Sequence, residues 1–264
     1  MISTFTPSHR SGNGSPLVLL HGFTDTWRTW DLVRPTLERA HDVFAPTLPG
    51  HAGGPALPEP LTVTTLVDAL EAMLDDAGVE TAHVVGNSLG GYLALRLAER
   101  GRARSVVALA PAGGWAAGDE AFLTTLGYFT ALAPQLAMAA AHADRILATE
   151  AGRRQVTAFL ASRYEHLSVE LLTHLVQGAA QCDVATMVAL AEREGWPLDA
   201  ARVTCPVRFV WGNADLLLPL PGAAAGYRAQ FPHAEWIELD DVGHCPHLDV
   251  PLVTAQLVLD STRD

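Results

Sequence analysis

Short apolar runs alternate with amphipathic stretches along most of the chain. Residues 17–20, 43–45, 82–85, 106–110 and 207–210 are almost wholly apolar, too short for helices and bounded by Gly, Pro or polar residues, which is the pattern of strands buried on both faces. Residues 234–239 alternate in part and read as a further strand. Between the strands the period changes. Leu66, Leu70, Met73, Leu74 and Ala77 fall on one side of a helix over 64–77, which Gly78 ends. Residues 89–100 read as a helix with Arg96 and Arg100 near its negative end and Gly101 beyond it. Trp27, Trp30, Val33 and Leu37 lie near helical spacing and predict a first helix, and 221–230 and 246–259 predict two more. Strand and helix in turn predict an α/β fold with a mostly parallel, twisted sheet and helices on both faces.

The alternation stops between Trp115 and about Arg202. That segment is rich in Ala and Leu and helical throughout, with Leu171, Leu172, Leu175 and Val176 on one pattern. Val184, Met187, Val188 and Ala191 form another after an N-cap expected at Asp183, and Gly195-Trp196-Pro197 ends it. Residues 1–114 and 203–264 therefore read as one core interrupted by a helical insertion over 115–202. No internal repeat or low-complexity linker marks a further boundary.

Composition narrows the classes. At 264 residues the chain can bury a large core, and with 49% hydrophobic and 17% charged residues it has no run of about eighteen apolar residues that would span a membrane. The net charge is −12, and all 17 basic residues are arginines, which argues against nucleic acid or an anionic membrane as partner. Met1 to Pro16 lack the basic and apolar regions of a signal peptide, so a cytoplasmic protein is expected. Cys182, Cys205 and Cys245 have no metal-ligand spacing and read as free thiols. The expected partner is a small-molecule substrate, with no cofactor or metal, and the chain a monomer or homodimer.

Chemistry concentrates where the third of these strands turns into a helix. Residues 84–91 read Val-Val-Gly-Asn-Ser-Leu-Gly-Gly, a G-x-S-x-G turn in which Gly86 and Gly90 leave room for a strained reversal. Such a turn lifts the Ser88 hydroxyl above the strand end, beside a helix N-terminus that favours developing negative charge. Upstream, an apolar run ends in His21-Gly22-Phe23; downstream come Trp211-Gly212-Asn213-Ala214-Asp215 and Asp241-Val242-Gly243-His244. In this order the motifs resemble the α/β-hydrolase superfamily from about Pro16 to the C-terminus. The resemblance implies an α/β-hydrolase fold, a cap over the site formed by 115–202, and a catalytic Ser88, Asp215 and His244. Thr47 stands where the family usually has Asp before Leu48-Pro49-Gly50-His51.

An alcohol is a poor nucleophile near neutrality, so Ser88 needs a base, for which His244 is the candidate. A metal site at His244-Cys245-Pro246-His247 has too few ligands, and Pro246 breaks helical spacing. Asp215 would orient the imidazole; Asp240 and Asp241 are its rivals, and Asp119 a more distant one. The backbone N–H groups of Phe23 and Leu89 would form the oxyanion hole, with the Phe23 ring as a pocket wall and His21 pinning its loop. Trp27, Tyr92 and Trp115 are candidate substrate contacts. His142, His166 and His174 read as surface or satisfied polar groups.

The expected reaction is hydrolysis of a small-molecule carboxylic ester through an acyl-enzyme, without a cofactor. Family members that cleave carbon–halogen bonds or epoxides use Asp as nucleophile, and Ser88 argues against both. Gly-Asn-Ser-x-Gly-Gly also resembles the elbow of serine-dependent carbon–carbon bond hydrolases, although Thr24-Asp25-Thr26-Trp27 replaces their Gly-Pro-Gly loop. Lactone and amide chemistry use the same three side chains. A small-ligand receptor on a hydrolase fold is the alternative of another class.

Overall fold

The computed structural model describes residues 4–263. Seven strands form one sheet: β1 (Ser8–Gly12), β2 (Ser15–Leu20), β3 (His41–Pro46), β4 (Ala82–Asn87), β5 (Ala103–Leu109), β6 (Val207–Gly212) and β7 (Glu235–Leu239). Their order across the sheet is β1-β3-β2-β4-β5-β6-β7, with β1 antiparallel to β3 and every other pairing parallel. β4 is central, its Val84 in register with Val18 of β2 and Val106 of β5.

Both faces of the central strands are buried, which is why they read as continuous apolar runs. On one face Val18, Leu20, Val84 and Val106 pack with Leu66, Leu70 and Leu93. On the other, Leu17, Leu19, Val85 and Val107 pack with Trp30, Leu37 and Val258. Each such side chain contributes about 1.5–3 kcal/mol of burial free energy before entropy is counted. The helices supplying these contacts are α1 (Arg34–Leu37), α2 (Val63–Asp76), α3 (Leu89–Glu99) and α11 (Pro251–Ser261), the last preceded by the short α10 (Pro246–Asp249) after β7. α2 starts on a capping box in which Thr62 and Thr65 bond each other's backbone N–H.

Between β5 and β6 the chain forms α4 (Ala121–Ala141), α5 (Ala143–Leu147), α6 (Glu150–Thr157), α7 (Val169–Ala179) and α8 (Val184–Glu194), while α9 (Ala225–Gln230) follows β6. The N-caps of α6, α7 and α8 are Thr149, Ser168 and the expected Asp183, each accepting a backbone N–H of the first turn. Leu147, Leu171, Leu172 and Leu175 pack together and onto Leu248 of α10, so this segment is fastened to the core. Among the described residues no helix is long and apolar enough to cross a membrane.

β1 has no sequence signal, because an edge strand of Ser, His, Arg and Gly carries no apolar pattern. Two sequence expectations are corrected. The first helix is instead a 3-10 turn over Trp27–Trp30 followed by α1, with Pro35 at its start. The last helix is two, because Pro251 cannot continue α10 and instead begins α11.

Candidate active site

The motif loops all leave the same edge of the sheet, following β2, β4, β6 and β7. Ser88 lies between β4 and α3 at φ 53° and ψ −115°, a backbone state costing an L-residue about 1–3 kcal/mol. Neighbouring main chain holds it there. The Ser88 N–H donates to the Leu109 carbonyl at 2.9 Å, and the Ser88 carbonyl accepts from the Tyr92 and Ala112 N–H groups at 3.1 and 3.0 Å. A Cβ on Gly86 would lie 2.1 Å from the Gly90 carbonyl oxygen, and one on Gly90 2.2 Å from that of Leu20, so only glycine permits this packing.

Asp215 and His244 form a buried pair. Asp215 Oδ1 accepts the Leu217 and Leu218 N–H groups, both at 2.8 Å, and Oδ2 faces His244 Nδ1 at 2.8 Å. A carboxylate so placed accepts a hydrogen bond from Nδ1–H, so in the neutral ring Nε2 carries the lone pair. Nε2 is buried and without a hydrogen-bond partner. Ser88 and His244 border the same cavity, but Ser88 Oγ donates to no group among the described residues, His244 Nε2 included. The rival carboxylates lie elsewhere: Asp240 accepts from Asn213 on the surface, Asp241 is exposed, and Asp119 caps the start of α4.

His21 Nε2 accepts the Leu48 N–H at 2.9 Å, which leaves Nδ1–H to donate to the Gly22 carbonyl at 2.8 Å. Burial, with the nearby His51, holds it well below the usual histidine range, so it is a neutral pin for the loop that carries Phe23. The Leu89 N–H is the first of α3 and has no acceptor within its helix, and the Phe23 N–H has none among the described residues. Both flank Ser88.

Two residues without a sequence signal of their own join the loops. Asn87 Nδ2 donates to the Leu109 and His244 carbonyls at 3.1 and 3.0 Å, while its Oδ1 accepts from Cys245 Sγ at 3.4 Å. Asp249 accepts the N–H groups of Gly243 (2.5 Å), Ser162 (3.0 Å) and Arg163 (2.6 Å), tying the His244 loop to the helical segment. Gly243 permits close approach of the helical segment: a Cβ there would meet Ser162 N at 3.1 Å and Ala161 Cα at 3.2 Å. Cys245 and His247, the neighbours of His244, engage Asn87 and Thr29 instead.

The cavity of about 210 Å³ above Ser88 is roofed by α4, α6 and α7, and a second chamber of about 50 Å³ adjoins it. Trp115 lines the second. Trp27 and Tyr92 line neither, contrary to expectation. Trp27 stacks on His9 and donates to Thr6, and Tyr92 is buried against Trp196 with its hydroxyl on the Pro197 carbonyl. Asp25 does border the larger cavity. Desolvation in the cavity wall pushes its carboxyl up to about 7, although Oδ1 accepts the Thr26 N–H at 2.7 Å. Of the remaining histidines, His166 donates to the Leu248 carbonyl and His142 is exposed, whereas His174 is buried, bonding Thr26 through Nε2 while its Nδ1 has no partner among the described residues.

Comparison with known proteins agrees with this architecture. The sequence profile of the Alpha/beta hydrolase family matches residues 17–257. The chain is 32% identical to a pimeloyl-[acyl-carrier protein] methyl ester esterase of Aromatoleum aromaticum, over 95% of this chain and 99% of that protein. It is 31% identical to the epoxide hydrolase EphH of Mycobacterium tuberculosis, over 75% of this chain and 94% of that protein. The crystal structure of the enol-lactonase from Burkholderia xenovorans LB400 superposes with a TM-score of 0.70 over 96% of this chain and 94% of that one, at 18% identity. The chain belongs to the alpha/beta hydrolase family.

Proposed function

We propose that the protein is a serine esterase acting on small-molecule carboxylic esters, with Ser88 as nucleophile, His244 as general base and acid, and Asp215 orienting His244. The observation that carries this is the pairing of Asp215 with Nδ1, which leaves a buried, unpartnered Nε2 on the cavity that Ser88 also borders. The Ser88 hydroxyl is held by no other group and can turn to Nε2 when substrate excludes water.

In the first step Ser88 Oγ bonds to the ester carbon as Nε2 takes its proton. The Phe23 and Leu89 amides receive the oxyanion, each worth about 3 kcal/mol at the transition state. The carbon–oxygen bond to the alcohol breaks, and the imidazolium gives its proton to the departing oxygen. Water, deprotonated by Nε2, then attacks the acyl carbon; the carboxylic acid leaves and the proton returns to Oγ. The helical segment over 115–202 acts as a cap that shapes the site and keeps it dry.

A relative carries the name epoxide hydrolase, and the elbow's Gly-Asn-Ser suits carbon–carbon bond hydrolysis also, so the substrate panel must separate these. Chromogenic esters, anilides, a lactone, a styrene-type epoxide and a dienoate diketone are assayed with the native protein. Sustained turnover of esters above all others is expected. Turnover confined to the epoxide or the diketone contradicts the proposal, and a stoichiometric burst alone would instead indicate a ligand receptor.

A further inference from the structure

The cavity divides at Ser88. Its larger chamber runs to the surface past Gln135, Ala139, Ile146 and Gln155, residues that also border an exposed groove. The smaller chamber lies under Trp115, Leu126, Met187 and Trp196. Phe23, Phe129 and Leu217 border both and form the neck between them. The two chambers differ in what they meet: His244 borders only the larger, and Leu89 only the smaller.

We propose that the small chamber holds the acyl half of the substrate and the large chamber the alcohol half, so that the preferred substrates are esters of short acids with extended, mainly apolar alcohols. This rests on the esterase assignment above. The departing oxygen takes its proton from His244 Nε2, so the alcohol lies on the His244 side of the scissile bond, which is the large chamber. The order of release agrees. The alcohol must leave and water must enter while the acyl group stays bonded to Ser88, and the large chamber is the one that reaches the surface groove.

Size then sets the chemistry. The small chamber has about a quarter of the volume of the large one, about 50 against about 210 Å³, so it suits a short chain and the large one an extended group. The small chamber's walls are apolar but for Thr125 and Ser88 itself, which suits a short alkyl acid. The large chamber adds Thr24, Asp25, Gln135 and Gln155 to apolar walls, giving an alcohol with a few hydroxyl or amide groups points of attachment.

Two ester series read the assignment in the native protein. One varies the acid from acetate to decanoate on a constant p-nitrophenyl leaving group; the other varies the alcohol from ethyl to decyl on constant acetate, followed by pH-stat. A fall in kcat/KM of at least about tenfold is expected between butyrate and octanoate in the first, with no fall along the second. Met187→Val or Leu126→Ala should move the acid optimum to longer chains without changing the order of preference within the alcohol series. Val156→Phe, which fills the large chamber, should depress only the long alcohols. Tolerance of long acids by the native protein, cut back by Val156→Phe, overturns the assignment while leaving the esterase standing. Absence of turnover on every ester in both series overturns the esterase and this inference together.

Discussion

Ser88→Ala loses at least about 10⁴ in kcat on the best ester, roughly 5 kcal/mol of transition-state stabilisation, with KM and thermal midpoint nearly unchanged. On the proposed mechanism the kinetic loss follows because Ser88 Oγ is the attacking atom. The unchanged stability follows from the structure, since Ser88 Oγ makes no hydrogen bond that alanine would forfeit and both residues bear the same positive φ of 53°. Ser88→Gly should be inactive and more stable than either, because glycine carries no penalty at that backbone angle. A variant pair that loses activity only in proportion to lost folding would instead make Ser88 a structural residue. Steady-state kinetics with circular-dichroism melting distinguishes the two.

Acidification should unfold the protein over a narrow range below pH 6. Burial holds His21 well below the usual histidine value of 6.5, His51 at about 4 and His247 at about 3; desolvation also brings His174 to about 4. These rings are neutral in the folded chain and protonate in the unfolded one. Their contribution is therefore complete above pH 6.5 and is lost as pH falls toward 4. Asp25 acts in the opposite sense: with its carboxyl raised from 3.8 to about 7, its contribution is complete below 3.8 and is lost as pH rises through 7. Three enclosed histidines against one carboxyl leave a net slope of about 3 kcal/mol per pH unit between about 6 and 4, comparable with the whole stability of a domain after two or three units. Urea midpoints measured from pH 7.5 to 4 should fall steeply, and His247→Gln should lessen the slope by about one proton. A midpoint independent of pH over that range would contradict the burial of these rings.

The parts of the fold legible in the sequence are those where burial is total. Strands β2, β4, β5 and β6 are covered on both sides and so read as apolar runs, and the elbow is legible because Gly86 and Gly90 are fixed by backbone approaches within 2.2 Å of a notional Cβ. β1 is an exposed edge whose register comes from pairing with β3 rather than from side-chain pattern. The site divides the same way. Ser88, Asp215 and His244 follow recognisable strands, and the structure brings Asp215 to His244, which borders the same cavity as Ser88. Asn87, Asp249 and Asp25 act through contacts 22 to 158 residues away or through enclosure, which no local spacing records. Aromatic side chains mislead for a related reason: Trp27 and Tyr92 sit near the motifs in sequence, yet their polar ends are directed to Thr6 and Pro197, away from the cavity that Trp115 reaches.

Activation of Ser88 by His244 is tested most directly by reaction with a fluorophosphonate, followed by peptide mass spectrometry. The account predicts a single adduct on Ser88 formed within minutes, and a rate reduced by at least about 10³ in His244→Ala although the protein stays folded. Rapid modification of another serine, or labelling of Ser88 at the same rate without the imidazole, would contradict it.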